Sequence, residues 1–303
     1  FKDTFMSFLN TQHNLLRGAA VTGDDAFDDI LYMLMYCYIQ DKFDEEKYNF
    51  TDFEISKYGN KSRFDKYIKY IRIEELLKDT LQIRPKKKSE CAIKKIGTIL
   101  KNHPTTQALI DQEDFLKCDN RKIIVECLHN TMEFLDENDI TQYQDIVGIG
   151  YEYFSTKHGG NQGTSKEMGQ YFTERPLMGM TFQLIEKDDL IACDLLGKDN
   201  LTIGDEFCAT FGYPLYLRKF LKNEFELDIK DDNMYGIEYH DRLSRMAALN
   251  AMFSMRSYQN VRKGDSFREN LTPHLDISVH NVPFGQSMKV DMIKETYEAV
   301  SYT

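Results

Sequence analysis

Asn281-Val282-Pro283-Phe284, near the end of the chain, has side chains suited to a flat, amine-bearing ring. An amide oxygen can accept an amine N–H, and a phenyl ring can stack on a planar base. The stretch follows Leu275-Asp276-Ile277-Ser278-Val279, apolar enough to be a buried parallel strand, so it stands at a strand's carboxyl end. Taken alone it reads first as an ordinary strand-to-loop turn, because Asn, Pro and the following Gly285 are common turn residues. Two acidic residues occupy comparable places upstream. Glu238 ends Tyr235-Gly236-Ile237-Glu238, and Asp265 follows Gly264 after a short extended piece around Val261.

These residues need a sheet to bring them together, and the second half of the chain has the pattern for one. From about Asp145 glycines become frequent, and short apolar runs alternate with helical ones in the order of a parallel α/β sheet. The first strand is expected at Leu201–Asp205, followed by a turn and a helix over 215–225. The second is expected at Met234–Glu238, followed by a helix over 242–256 that buries Leu243, Met246, Leu249 and Phe253. Residues 157–165 read as a mobile loop.

Residues 1 to about 145 read as a helical domain. Phe5, Phe8 and Leu9 recur at helical spacing, and Gly18 is a plausible stop. Asp24 and Asp25 precede a wide apolar face made by Phe27, Ile30, Leu31, Leu34 and Tyr38, where acidic residues favour a helix start. Further helices are expected around 64–76, around 93–100 (ending at His103-Pro104), and along Ile123, Ile124, Cys127, Leu128, Met132 and Leu135. His129 on that last stripe reads as a structural histidine.

The composition narrows the class. A chain of 303 residues can hold two ordinary domains, and no apolar run approaches a membrane span. A net charge of −11 argues against one broad basic face for nucleic acid. DNA contact remains open to a local patch, such as Arg84, Lys86, Lys87, Lys88, Lys94 and Lys95, or to a partner subunit. Six cysteines without CxxC pairs fit a reduced, cytoplasmic compartment and speak against zinc. The chain opens on Phe1, not Met, so the start reads as a cut or processed end.

In this order the motifs resemble the modification subunit of type I restriction-modification systems, the N6-adenine DNA methyltransferase family. Leu15-Leu16-Arg17-Gly18 and residues 30–39 are similar to the family's opening helices. Gly150-Tyr151-Glu152-Tyr153-Phe154, and then Gly169-Gln170-Tyr171-Phe172-Thr173-Glu174-Arg175-Pro176, are similar to the segment leading into its cofactor pocket. Glu238 and Asp265 match its two acidic positions, and Asn281-Val282-Pro283-Phe284 falls where the family has Asn-Pro-Pro-Phe. The resemblance implies a helical N-terminal domain (1–145) and a Rossmann-like S-adenosylmethionine-dependent methyltransferase domain (146–303), C-terminally incomplete in this chain. It also implies a role for each matching residue. Glu238 would take the ribose hydroxyls and Asp265 the adenine amino group of S-adenosylmethionine, with Phe172 and Thr173 along its methionine side. Asp205 and Gly212 belong to the cofactor turn. Asn281 and the carbonyl of Val282 would accept the two N–H groups of a flipped adenine, with Pro283 and Phe284 completing the tetrapeptide. Double-stranded DNA would be reached through a separate specificity subunit, in a hetero- or homo-oligomer away from membranes.

Two departures bear on activity. Val282 replaces the first Pro and loses its fixed φ. The family's turn Asp-Pro-x-Cys-Gly-Thr-Gly-Gly is here Asp205-Glu206-Phe207-Cys208-Ala209-Thr210-Phe211-Gly212, with Ala209 and Phe211 in place of glycines. A side chain at 209 is expected to strain the backbone. The ring at 211 is expected to enter the methionine or ribose space or to force the turn to rebuild. The competing readings are therefore an active methyltransferase subunit and a catalytically silent relative kept for binding or scaffolding.

Overall fold

The computed structural model describes residues 2–47, 116–157, 173, 175–255, 258–267 and 274–282. The expected helices around 64–76 and 93–100, the basic patch and nearly all of the 157–165 loop lie outside them, as do Phe172, Pro283 and Phe284. Two compact units divide the chain, Phe1–Asp139 and Ile140–Thr303.

The first unit is helical among the described residues. Helix α1 (Lys2–Arg17) buries Phe5, Met6, Phe8, Leu9 and Leu16, the i, i+3, i+4 spacing of one apolar face. Its chain turns out at Gly18, as the sequence predicts. Helix α2 (Gly23–Lys47) carries Asp24 and Asp25 in its first turn, and α3 (Arg121–Glu137) packs against both α1 and α2. Asn120 starts α3 by accepting N–H bonds from Lys122 and Ile123. Phe8 and Phe134 stack at 4.4 Å between ring centroids, joining α1 to α3. Asp29 of α2 takes the backbone N–H groups of Lys117 and Cys118 at 2.7 and 2.8 Å, which docks the segment leading into α3.

The second unit begins with a short 3₁₀ turn (Ile140–Gln142) and the helices α4 (Ile146–Lys157), α5 (Arg175–Phe182) and α6 (Lys187–Ala192). The sheet follows as β1 (Ile203–Asp205), β2 (Met234–Glu238), β3 (Val261–Lys263) and β4 (Ile277–Ser278). All the pairings are parallel, in the order β3-β2-β1-β4. This is the Rossmann-like arrangement that the sequence predicts, in which the chain winds outward from β1 to β3 and then crosses to the far side of β1. Helices α7 (Gly212–Phe225) and α8 (Asp241–Ser254) pack on β1, β2 and β3. Helix α8 is buried along nearly its whole length, including Leu243, Met246, Leu249 and Phe253. Strand β2 coincides with its expected span.

Three local expectations are corrected. Strand β4 is neither as long nor as buried as 275–279 predicts. Only Ile277 and Ser278 are extended in the ladder, and both are at least partly exposed, because β4 is the outer strand of the described sheet and pairs with β1 alone. Strand β1 begins at Ile203, not Leu201. Thr202 before it serves instead as an anchor, donating from both its N–H and its hydroxyl to the Asp276 carboxylate at 2.9 and 3.0 Å. Helix α7 starts at Gly212, three residues before the apolar periodicity begins, with Pro214 in its first turn, where an N–H has no intrahelical partner. No helix among the described residues is long and apolar enough to cross a membrane.

Candidate active site

In an open parallel sheet, ligands bind beyond the carboxyl ends of the strands, where the strand order reverses. Here that point lies between β1 and β4, and four of the predicted residues stand at or just past the carboxyl ends of the four strands. Asp205 ends β1, Glu238 ends β2, Asp265 stands two residues past β3, and Asn281 three past β4.

The turn after β1 keeps a glycine-like path without its glycines. Ala209 has φ of 46° and Phe211 of 68°, both in the left-handed region that L-residues enter at a cost of roughly 1–2 kcal/mol each. The backbone has therefore not been rebuilt around the two side chains. The Ala209 N–H points at Glu238 and is 2.9 Å from Oε2, while the His240 N–H lies 2.8 Å from Oε1. Burial raises the Glu238 carboxyl above its ordinary range, against the pull of these two donors. Asp205, almost fully buried, is pushed up to about 8 by burial, with the negative charges of Glu238 and Glu206 adding to the effect.

The expectation for Phe211 is corrected. Its ring is completely buried and packs against β2 at Gly236. A Cβ built on Gly236 would stand 2.8 and 2.9 Å from the ring's Cδ2 and Cε2, so the ring occupies the space that the bare glycine leaves. A different ring lies near the crevice. Phe207 approaches Phe267 at 5.4 Å and His280 at 5.8 Å between centroids, and the Ser266 hydroxyl donates to the carbonyl of Glu206. Because β2 lies between β1 and β3, the contacts from 206–207 to 266–267 join the segments that follow the two strands flanking β2.

On the side of β4, the Asn281 Nδ2 donates to the Thr173 hydroxyl at 3.2 Å. Two residues expected on opposite sides of the methyl transfer, 108 positions apart, are thus in direct contact. Thr173 is buried and Val282 is 37% exposed. Asp265 is half-buried, and its Oδ1 accepts the N–H of Phe267.

A buried polar cluster beneath the turn is not apparent from the motifs. Asp145, fully buried and itself left-handed (φ 59°), accepts from Arg175 Nε at 3.0 Å and Nη2 at 2.6 Å and from Asn250 Nδ2 at 2.7 Å. The same Asn250 Nδ2 reaches the carbonyl of Thr210, also at 2.7 Å. Burial pushes the Asp145 carboxyl up, against Arg175, Asn250 and the Gly148 N–H. Burial also opposes the Arg175 charge, but Asp145 and Glu152 outweigh it and hold the guanidinium charged. One signal for this cluster was present in the sequence: Asn250 is a lone amide in the run Met246-Ala247-Ala248-Leu249-Asn250-Ala251-Met252-Phe253.

The family model for N-6 DNA methylase matches residues 142–301. Among solved structures, the chain is similar to a type I restriction-modification system methyltransferase subunit from Streptococcus thermophilus, with 12% identity over 90% of this chain and 61% of that one, at a TM-score of 0.47. It is also similar to a protein from Listeria monocytogenes described as a class I S-adenosylmethionine-dependent methyltransferase, with 14% identity over 75% of this chain and 62% of that one, at a TM-score of 0.41. The chain thus spans about three fifths of the length of each. No curated protein matches it. With more than half of its residues matched by that model, the chain belongs to the N-6 DNA methylase family.

Proposed function

We propose that the chain is the modification subunit of a restriction-modification system, transferring a methyl group from S-adenosylmethionine to the N6 of an adenine flipped out of duplex DNA. The observation that carries this reading is the contact of Asn281 with Thr173 at the switch point, one strand away from the end of β2 where Glu238 stands.

The residues fit such a cofactor at the β2 end. The turn keeps its left-handed path, Phe211 is packed against β2, and a carboxylate accepting two N–H bonds retains lone pairs for ribose hydroxyls. Glu238 is the ribose acceptor, Asp265 the acceptor for the adenine amino group, and Thr173 with Phe172 the lining of the methionine side. Asp205 and Gly212 shape the turn. The cofactor supplies an electrophilic methyl group. On the base side, Oδ1 of Asn281 and the carbonyl of Val282 would each accept one N–H of the exocyclic amine, which favours a pyramidal nitrogen with a localised lone pair. The Thr173 hydroxyl receives Nδ2 of Asn281 and so orients the amide with its oxygen toward the base. Phe284, following Pro283, stacks on the flipped ring. DNA is engaged with a separate specificity subunit, consistent with the chain's acidic balance.

A second reading, a silent relative kept as a binding subunit, is favoured by one observation, the Phe207–Phe267 bridge between the segments that follow β1 and β3. Calorimetric titration of the chain with S-adenosylmethionine separates the two. Micromolar binding that is lost in Glu238→Gln supports the first, and absence of binding supports the second. Methyl transfer to duplex DNA that survives Asn281→Ala removes the role given to that residue.

A further inference from the structure

The turn that carries Ala209 is held at three points. From above, Glu238 takes the Ala209 N–H. From below, Asn250 takes the carbonyl of Thr210, which lies between the two left-handed residues. Alongside, Gly212 approaches Asp145 so closely that a Cβ there would meet Oδ2 at 2.9 Å. Asn250 cannot hold Thr210 by itself, since an amide on a helix can swing. Its orientation is set by Asp145 on Nδ2 and by the Val147 N–H, 3.3 Å from its Oδ1. Asp145 is set in turn by the two-pronged Arg175, whose other terminal nitrogen bonds Glu152 of α4. Arg175 opens α5, two residues after Thr173. A Cβ on Gly148 would meet Asp145, Arg175 and Thr210 atoms at 2.1, 2.6 and 2.8 Å, so the three are packed around a position that only glycine can fill.

We propose that Asp145, acting through Asn250 and Arg175, is the positioning residue of this site. It holds the 209–212 backbone in the path that aims the Ala209 N–H at Glu238, and it ties that path to the segment presenting Thr173 to Asn281. The assignment rests on the reading of Glu238 as the ribose acceptor. Its physical content is that a buried, fully bonded network transmits orientation, because each member has one arrangement that satisfies all its donors. Asp145→Asn is the informative change. Asn tolerates the left-handed region, so the backbone is not penalised, and the volume is kept. The carboxylate, however, accepts on both oxygens, whereas an amide offers one oxygen and an NH₂. Either Asn250 or the Arg175 fork must then face a donor.

The test uses the full chain and two variants, Asp145→Asn and Arg175→Lys, the second keeping the charge while losing the fork. Amide hydrogen exchange is followed over 206–212 and, for reference, over 234–238 of β2. With an unsatisfied buried donor, exchange in 206–212 is expected to rise on the order of ten- to a hundredfold while 234–238 is unchanged. A network with a merely structural role raises both segments in step with global stability. That result, or unchanged exchange at 206–212 in both variants, overturns the proposal. Titration with S-adenosylmethionine forms a separate arm, in which the affinity of both variants is expected to fall by roughly tenfold. If the parent chain binds no cofactor, the assignment of Glu238 fails, while the exchange arm still decides the role of Asp145.

Discussion

Phe211 and Gly236 form one packing unit, and a double-mutant cycle measures it. Phe211→Gly removes a fully buried ring, for which truncation costs about 3–5 kcal/mol, and relieves left-handed strain of roughly 1–2 kcal/mol. The net expectation is a loss of about 1–4 kcal/mol, at the lower end if the cavity collapses. Gly236→Ala in the parent chain puts a Cβ 2.8 Å from the ring and 3.1 Å from the Cys208 sulfur, an overpacking cost of roughly 1–3 kcal/mol. In the Phe211→Gly background the ring is gone, and most of that cost disappears. The coupling between the two sites is therefore expected at about 1–2 kcal/mol, read from urea midpoints of the four proteins at constant m-value. If Gly236→Ala costs the same with and without the ring, the ring does not lie on β2. The same series settles the crevice. Because Phe211 is buried against β2 at Gly236, Phe211→Gly is expected to gain no affinity for S-adenosylmethionine, and a gain of tenfold or more would show that the ring obstructs the cofactor after all.

Phe207→Ala tests the other ring. It removes the contacts with Phe267 and His280, and is expected to speed S-adenosylmethionine association in stopped-flow measurements; unchanged kinetics would show that the bridge is no barrier. Asp205 makes stability pH-dependent. Its folded pKa of about 8 lies above the unfolded value of about 4, so its contribution is fully present below the lower value and lost as pH rises through the upper one. Denaturation midpoints should therefore fall between about pH 4 and about pH 8 and level off above that, and Asp205→Asn, which can still accept the Phe207 N–H, should flatten that fall; an equal slope in both proteins refutes the assignment. In the helical unit, Asn120→Ala removes the cap of α3 and is expected to cost about 1 kcal/mol, measured by chemical denaturation; no loss would mean that the two capping bonds contribute nothing net.

The amphipathic helices and β2 were legible because each depends on the spacing of apolar residues along one segment. Phe5, Phe8 and Leu9 mark a face whatever they pack against, and Met234–Glu238 is bounded by its own polar neighbours. Strand β4 was overestimated because the run 275–279 records hydrophobicity and not the number of neighbouring strands. The direction of the Phe211 ring was misjudged because φ and χ at a turn depend on what the facing strand leaves open, here Gly236.

The sequence by itself determined the order of the elements, the family, and which acidic and amide residues end the strands. Those are properties of spacing and residue type. Only the tertiary structure decided that Asn281 meets Thr173, that Phe207 bridges the segments after β1 and β3 while Phe211 does not, and that Asp145, Arg175 and Asn250 brace the turn. Each of these is a contact between segments at least 30 residues apart, whose partners are chosen by burial and hydrogen-bond satisfaction in the folded chain, and no local pattern records that choice.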